Sequence, residues 1–245
     1  MEVGVNMAIY VVSDIHGNLC ALRDLIENKA CIDFTKDTLY ILGDMVDWGK
    51  EPLDTLFYVK DLYDKYPENV FVTLGNHELL MLSSIGRIYG TEEIWLSNNG
   101  GRTRQQLRKL YYKDLKTFQK LIAWLRSLEV IYYDGDYVFT HSNIPVNMPI
   151  LTRSYYEMHR DFPEEVVNAV WTRVNTGIRH CDGTLISGHT IVTNYHSSNE
   201  IFFSNNYINI DCDAKLLGYD TNAHLGMLKI DNGEYSCFYS NAVKI

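Results

Sequence analysis

With 245 residues, 46% of them apolar, the chain is long enough for one large domain with a substantial core. Its 22 basic against 31 acidic residues leave a formal net charge of −9, which argues against a broad nucleic-acid surface yet admits a small anionic substrate at a local cationic site. Five cysteines with no Cys-x-x-Cys pair weigh against a disulfide framework or a Cys-based zinc site, no apolar run reaches the about eighteen residues of a membrane span, and the start MEVGVNMAIYVVSD lacks the basic region and cleavage site of a signal peptide, so a cytoplasmic protein is expected.

The first three apolar runs, residues 8–12, 39–42 and 70–74, are short and rich in Val, Ile, Leu, Tyr and Phe, as buried strands are. Between them lie two stripes with helical spacing. One comprises Leu19, Leu22, Leu25 and Ile26; the other comprises Leu53, Leu56, Val59 and Leu62, with Lys60, Asp61 and Asp64 outward. The alternation predicts a parallel sheet with crossover helices. Residues 103–128 are expected to be mostly helical. Residues 144–163, with Pro145, Pro149 and Pro163, read as a long irregular or partly helical stretch and a candidate functional loop. Strands are expected at 137–140, 185–187, 201–204 and 207–210. Residues 226–230 and 235–239 read as a hairpin about Asp231-Asn232-Gly233. With no repeat and no obvious linker, the expected architecture is α/β: a parallel βαβ first half and a strand-rich second half, forming two sheets in one domain over residues 1–245.

Chemistry concentrates where these strands end. After the first comes Ser13-Asp14-Ile15-His16-Gly17-Asn18, after the second Gly43-Asp44-Met45-Val46-Asp47-Trp48-Gly49, and after the third Gly75-Asn76-His77-Glu78. The carboxyl ends of parallel strands face one crevice, so Asp14, His16, Asp44, Asn76 and His77 should converge. Carboxylates, imidazoles and an amide oxygen are ligands for manganese, iron or zinc. A single Asp-x-His after a strand is more often a turn or cap than a metal site. Three such motifs in order, followed by Thr140-His141-Ser142-Asn143 and Gly188-His189-Thr190, are not explained by capping alone.

This order of motifs resembles the calcineurin-like metallophosphoesterases. It is closest to their bacterial and phage serine/threonine protein phosphatase branch, the PPP type, which includes symmetrical diadenosine tetraphosphatases. Trp95-Leu96-Ser97-Asn98-Asn99-Gly100-Gly101 is similar to that branch's Trp-x-x-Asn-Gly-Gly segment with one extra Asn. Trp171-Thr172-Arg173 and Ile208-Asn209-Ile210-Asp211 match two further segments, and the resemblance spans residues 8–239. It implies a two-sheet αββα sandwich. It also implies two divalent metal ions, manganese foremost, with iron or zinc accepted. Asp14 and His16 would bind the first metal, Asp44 would bridge both, and Asn76, His141 and His189 would bind the second. His77 would be the catalytic acid, oriented by Asp47, and Asn76 and Arg173 would contact the substrate phosphate. The implied reaction is attack of a metal-bridging hydroxide on phosphorus. The implied substrate is a phosphorylated protein or peptide or a small phosphoester, with no nucleic-acid surface and no membrane.

The family's Gly-Asp-x-x-Asp-Arg-Gly motif carries Trp48 in place of Arg here. An indole cannot make the bidentate phosphate contact of a guanidinium. Two readings of Trp48 stay open: a packed ring, or one that stacks on a base or other aromatic group. Arg173 is the better remaining phosphate clamp, with Arg102 and Arg104 behind it. His159, His180, His196 and His224 match no motif and are expected in surface or core roles. A phosphomonoesterase of the protein-phosphatase type is the leading expectation. Hydrolysis of a symmetrical dinucleoside polyphosphate is the alternative. A catalytically weak binding or regulatory module is the alternative of another class.

Overall fold

The structure is a computed structural model and describes residues 7–86, 91–144, 166, 169–177 and 179–244. The expected functional loop at 144–163 lies outside the described residues except for Ile144, and His159 lies outside them altogether. The elements run β1 (Ile9–Val12), α1 (Leu19–Arg23, continued by a π-helical stretch Asp24–Lys29), β2 (Thr38–Leu42), α2 (Pro52–Lys65), β3 (Val70–Thr73), α3 (Asn76–Ile85), α4 (Thr91–Ser97), α5 (Gly101–Lys113) and α6 (Leu115–Ser127). There follow β4 (Ile131–Asp134), β5 (Tyr137–Thr140), β6 (Thr184–Ser187), β7 (Phe202–Phe203), β8 (Tyr207–Asn209), β9 (Leu225–Asp231) and β10 (Glu234–Ser240).

Among the described residues the strands form two five-stranded sheets, ordered β10-β9-β1-β2-β3 and β4-β5-β6-β8-β7. In the first, β1, β2 and β3 are parallel, as the alternation of apolar runs and helices predicts, and the β9–β10 hairpin adds antiparallel to β1. Its turn is closed by Asn232 (φ 53°) and Gly233 (φ 79°), both left-handed as a two-residue hairpin turn demands. The second sheet is mixed: β5, β6 and β8 are parallel, while β4 and β7 flank them antiparallel.

Both faces of the central strands are buried, which is why they read as unbroken apolar runs. Side chains alternate between two cores. Val11, Tyr40 and Leu42 from the first sheet meet Phe139, Ile186 and Ile208 from the second in the layer between the sheets. Tyr40 stacks on Phe139 with centroids 3.9 Å apart. On the outer face of the first sheet, Val12, Leu39 and Ile41 pack with Leu22, Leu25, Leu56 and Val59 from α1 and α2. This is the αββα sandwich.

Four elements differ from the sequence reading. The helical stretch 103–128 is two helices, broken at Asp114, whose carboxylate caps α6 by accepting from the Thr117 amide at 3.0 Å. The segment after Gly75 is a ten-residue helix, α3. Strand β4 was not anticipated, and strand 201–204 shortens to two residues. No helix among the described residues is long and apolar enough to cross a membrane.

Candidate active site

The carboxyl ends of β1, β2 and β3 meet those of β5 and β6 across the sandwich. The structure brings together Asp14, His16, Asp44, Asp47, Asn76, His77, His141 and His189, all but His189 buried. Their backbones turn sharply where the strands end: Asp14, His16, Asp44, Asp47, Trp48 and His189 all have φ between 47° and 72°. For a residue with a Cβ this left-handed conformation costs roughly 1–2 kcal/mol each, a strain held by the surrounding hydrogen bonds. Two glycines let the segments close on one another: a Cβ on Gly188 would lie 1.9 Å from Asp14 Oδ2, and one on Gly75 would lie 2.1 Å from Asp44 Oδ1.

Asp44 Oδ2 is the hub. His141 Nε2 lies 3.5 Å from it, His16 Nε2 3.7 Å and His77 Nε2 3.9 Å. His16 Nε2 also lies 3.8 Å from Asp14 Oδ1. The opposite ring nitrogens fix the tautomers: Nδ1 of His16 donates to the Val46 carbonyl at 3.1 Å, and Nδ1 of His141 donates to the Leu42 carbonyl at 2.8 Å. Burial pushes His141 down to about 3 and lowers His16 well below its usual value. With Nδ1 turned outward, Nε2 of His16 faces Asp14 and Asp44, and Nε2 of His141 faces Asp44 and, at 2.9 Å, Asn76 Oδ1. His189 donates from Nε2 to the Trp171 carbonyl at 3.1 Å and turns its bare Nδ1 toward Asn76 Oδ1, 3.0 Å away. Burial sets His189 at about 3, raises Asp14 to about 6 and raises Asp44 well above the carboxylate range.

Such a cluster of buried acceptors facing one another, with its protons turned outward, fits divalent cations. Within it two groups have donors close enough to share an ion: His16, Asp44 and His77, and Asp44, His141 and His189. The carboxylate–imidazole–amide set suits a first-row transition metal, and the imidazoles of His16, His141 and His189 are each oriented by a backbone carbonyl, as metal-binding histidines are.

His77 differs from the other histidines. Its Nδ1 is 2.6 Å from Asp47 Oδ2. Burial works to lower its pKa, but the charges of Asp44 and Asp47 and the Asp47 hydrogen bond raise it to about 9. The Asp47 contact at Nδ1 leaves Nε2 turned to the centre, 3.9 Å from Asp44 Oδ2. Asp47 is fully buried and held by Trp95 Nε1 at 2.9 Å and Thr103 Oγ1 at 2.5 Å. The Trp95–Gly101 segment thereby braces Asp47, and Asn99 within it sits in the left-handed region at φ 63°.

Sequence reasoning missed three supporting groups. Glu78, fully buried, accepts four backbone N–H bonds. Asp44 and Gly75 donate to Oε2 at 2.8 and 2.9 Å, and Met45 and Val46 donate to Oε1 at 2.8 and 3.2 Å. Asn209 donates to the Gly188 and Thr190 carbonyls at 3.3 and 2.9 Å and so fixes the His189 turn. Lys215 projects its charge onto Asp14 and His16. The signal for Glu78 was its place in the Gly-Asn-His-Glu motif; Lys215 had none.

Of the candidate phosphate clamps, Arg173 is exposed, two residues beyond the Trp171 carbonyl that orients His189, and its charge reaches that ring. Arg104 is paired with Glu92. Arg102 is exposed and donates to the Gly49 carbonyl at 3.2 Å. Trp48 is half-buried, edge-on to His16 with centroids 6.5 Å apart. His180 and His196 bond to carbonyls of their own loops, Asn175 and Glu200, and His224 packs edge-on against Tyr239.

The comparisons with known proteins agree with this geometry. A symmetrical bis(5'-nucleosyl)-tetraphosphatase of Aromatoleum aromaticum is 32% identical over 142 residues, covering 56% of this chain and 45% of that protein. One of Nitrosospira multiformis is 33% identical over 138 residues, covering 56% of this chain and 44% of that protein. The matched stretch is thus less than half the length of these relatives. Among solved structures, a protein serine/threonine phosphatase from Saccharomyces cerevisiae superposes with a TM-score of 0.64 at 16% identity, covering 100% of this chain and 82% of that one, a likeness of fold. The family model for calcineurin-like phosphoesterases matches residues 7–210, and with most of its length matched the chain belongs to that family.

Proposed function

We propose that residues 1–245 act as one cytoplasmic metallophosphoesterase domain that hydrolyses a symmetrical dinucleoside polyphosphate, with two divalent ions, manganese first, as cofactors. The observation that carries the reading is the convergence of His16, His77 and His141 on Asp44 Oδ2 within 3.9 Å. Asp14 and His16 would hold one ion, Asn76, His141 and His189 the other, with Asp44 between. When bound, the ions supply Lewis-acid polarisation and neutralise phosphoryl charge. His77, protonated at Nε2 and oriented through Nδ1 by Asp47, donates to the leaving oxygen. Arg173 faces solvent on the His189 side, where a guanidinium can meet phosphate oxygens. Five free thiols support a reducing setting.

The sequence alone favoured a phosphomonoester over a phosphoanhydride. The names of the relatives and Trp48 at the usual arginine position weigh for the anhydride instead. The acid pair His77–Asp47 weighs against a mere binding module, which needs no proton donor. A manganese-reconstituted panel tests this: diadenosine tetraphosphate, a phosphoserine peptide, a phosphotyrosine peptide and an aryl phosphate. The tetraphosphate should show the highest kcat/KM. Efficient turnover of the phosphoserine peptide with none of the tetraphosphate would return the chain to the protein-phosphatase reading.

A further inference from the structure

A cavity of about 390 Å³ opens directly beside the metal-ligand cluster, within the size range of small-molecule sites. Its wall is continuous with the centre: Gly17 and Asn18 follow His16, and Trp48 and Gly49 follow Asp47. Four cations line it, Lys50, Arg102, Lys215 and Lys244, against one carboxylate, Glu51. In a chain of net charge −9 this is a local reversal of sign. Two of the four are committed to structure: Lys50 donates to the Lys244 carbonyl at 2.7 Å, and Lys244 pairs with Glu51 at 2.9 Å. The other two are more available. Arg102 makes one long bond to the Gly49 carbonyl and has no carboxylate partner among the described residues. Lys215 is 3.6 Å from Asp213 Oδ1 and lies over the Trp48 ring at 5.8 Å.

Trp48 is oddly placed for a packing residue. Its backbone is left-handed (φ 54°), where bulky side chains are outliers, and its indole N–H is buried without an acceptor among the described residues. A packed tryptophan normally satisfies that group. What the position does provide is an aromatic wall between His16 and Lys215. An aromatic face beside cations is the combination that holds a nucleotide: stacking for the base, charge for the phosphates.

We infer that this cavity is a nucleotide subsite, in which the Trp48 ring stacks on one base of the substrate while Lys215 and Arg102 take the phosphates that lead from the metal centre to it. The inference rests on the proposed dinucleoside substrate and assigns half of it to named residues. The arginine absent at position 48 is replaced by two cations from elsewhere in the chain, and the indole adds a base contact that a phosphoprotein phosphatase has no use for.

The experiment is equilibrium binding by calorimetry of ADP, adenosine and inorganic pyrophosphate, with and without manganese, to the wild type and to Trp48→Leu, Trp48→Phe and Lys215→Met. Loss of a stacked base weakens binding by on the order of ten-fold. Trp48→Leu should therefore weaken ADP and adenosine by about that factor and spare pyrophosphate, while Trp48→Phe, which keeps a ring, should restore most of it. Lys215→Met should weaken ADP and pyrophosphate together and adenosine little. In turnover, Trp48→Leu should lower the ratio of kcat/KM for diadenosine tetraphosphate to that for an aryl phosphate. Equal ADP affinity in the wild type, Trp48→Leu and Lys215→Met overturns the subsite. A loss of pyrophosphate binding in Trp48→Leu as large as that of ADP overturns the stacking role. If Trp48→Leu does not fold, Lys215→Met and Trp48→Phe still decide the matter. A protein that cleaves the aryl phosphate but not the tetraphosphate refutes the proposed function, while the ADP titration still judges the cavity on its own.

Discussion

Glu78→Gln isolates the clamp beneath the Asp44 turn. The carboxylate is fully buried and divides four amide donors evenly, two on each oxygen. Burial raises its pKa, while the Gly75, Asp44 and Met45 amides and the His77 charge favour the ionised form. A glutamine keeps the shape but offers one acceptor oxygen, and its NH₂ group faces the remaining pair of donors. Two buried N–H groups then lose their acceptor, at about 1–3 kcal/mol each, so the substitution should destabilise the protein by about 2–6 kcal/mol. That is a large part of the roughly 5–15 kcal/mol by which a folded domain exceeds its unfolded state. The assay is urea unfolding in chelator, read as a midpoint shift at constant slope. Turnover should fall as well, because either released pair, Asp44 with Gly75 or Met45 with Val46, belongs to the backbone that holds Asp44 in place. A loss below about 0.5 kcal/mol, the range of an ordinary surface change, would refute the idea that Glu78 holds this turn.

Four other outcomes follow. Asp44→Asn should abolish turnover and bring bound metal, measured by elemental analysis, below two per chain; full activity with both ions retained would remove Asp44 from its bridging position. His77→Asn should retain metal and lower kcat by about 10²–10⁴-fold on a poor leaving group, but less on an activated aryl phosphate; equal losses on both would deny it the role of acid. Arg173→Ala should raise KM or lower kcat/KM with metals still bound, and Arg173→Lys should be intermediate because an ammonium lacks the bidentate fork; wild-type kinetics in both would place the phosphate contact elsewhere. Ser240 Oγ donates to Asp24 at 2.7 Å, and the Ser240 hydroxyl, then the Asn28 amide, hold Asp24 below its usual value of 3.8. A depressed folded-state pKa contributes stability above the unfolded value and loses it as pH falls through the folded one. Ser240→Ala should therefore cost about 1 kcal/mol near neutrality and distinctly less below pH 3.8; an equal cost at both would show the carboxylate's charge to be irrelevant.

The site motifs were legible because each sits where a short apolar run gives way to small and polar residues: Ser13, Gly43, Gly75, His141 and Gly188. Those runs were unmistakable because β1, β2 and β3 are covered on both faces. What escaped notice had weaker local signals. Helix α3 reads NHELLMLSSI, buried from Asn76 through Ser83, so it has no polar face to set a helical period. Strand β4, IYYD, is only four residues long and ends in exposed Tyr133 and Asp134, so it offers no sustained buried run. The break between α5 and α6 depends on one capping aspartate inside an otherwise continuous helical pattern. Glu78, Asn209, Thr103 and Lys215 reach Asp44, Gly188, Asp47 and Asp14 across 34, 21, 56 and 201 positions of chain. Such partnerships exist only once the sheets are paired, and no spacing in the sequence encodes them. Trp48 shows the opposite case: a departure from a motif was visible, but the cavity it borders was not.

The left-handed backbone shared by Asp14, His16, Asp44, Asp47, Trp48 and His189 restricts which replacements can report on chemistry at all. Asparagine and aspartate tolerate that conformation through their own short polar side chains, whereas alanine and especially β-branched residues do not. An Asp→Asn variant at positions 14, 44 or 47 therefore removes a charge while leaving the turn intact. A valine or threonine there would disrupt the turn and the function together, and an alanine scan across this rim would score backbone geometry as though it were catalysis. For a mutational library the same constraint defines a narrow alphabet of Asn, Asp, His and Gly at the aspartate and histidine turns, whereas at Trp48, where a bulky residue already bears the strain, Leu and Phe add none. The wall residues of the adjoining cavity, Lys50, Arg102, Lys215 and Lys244, carry no such restriction. Selection for altered substrate preference has its freedom there, in the lining rather than in the centre.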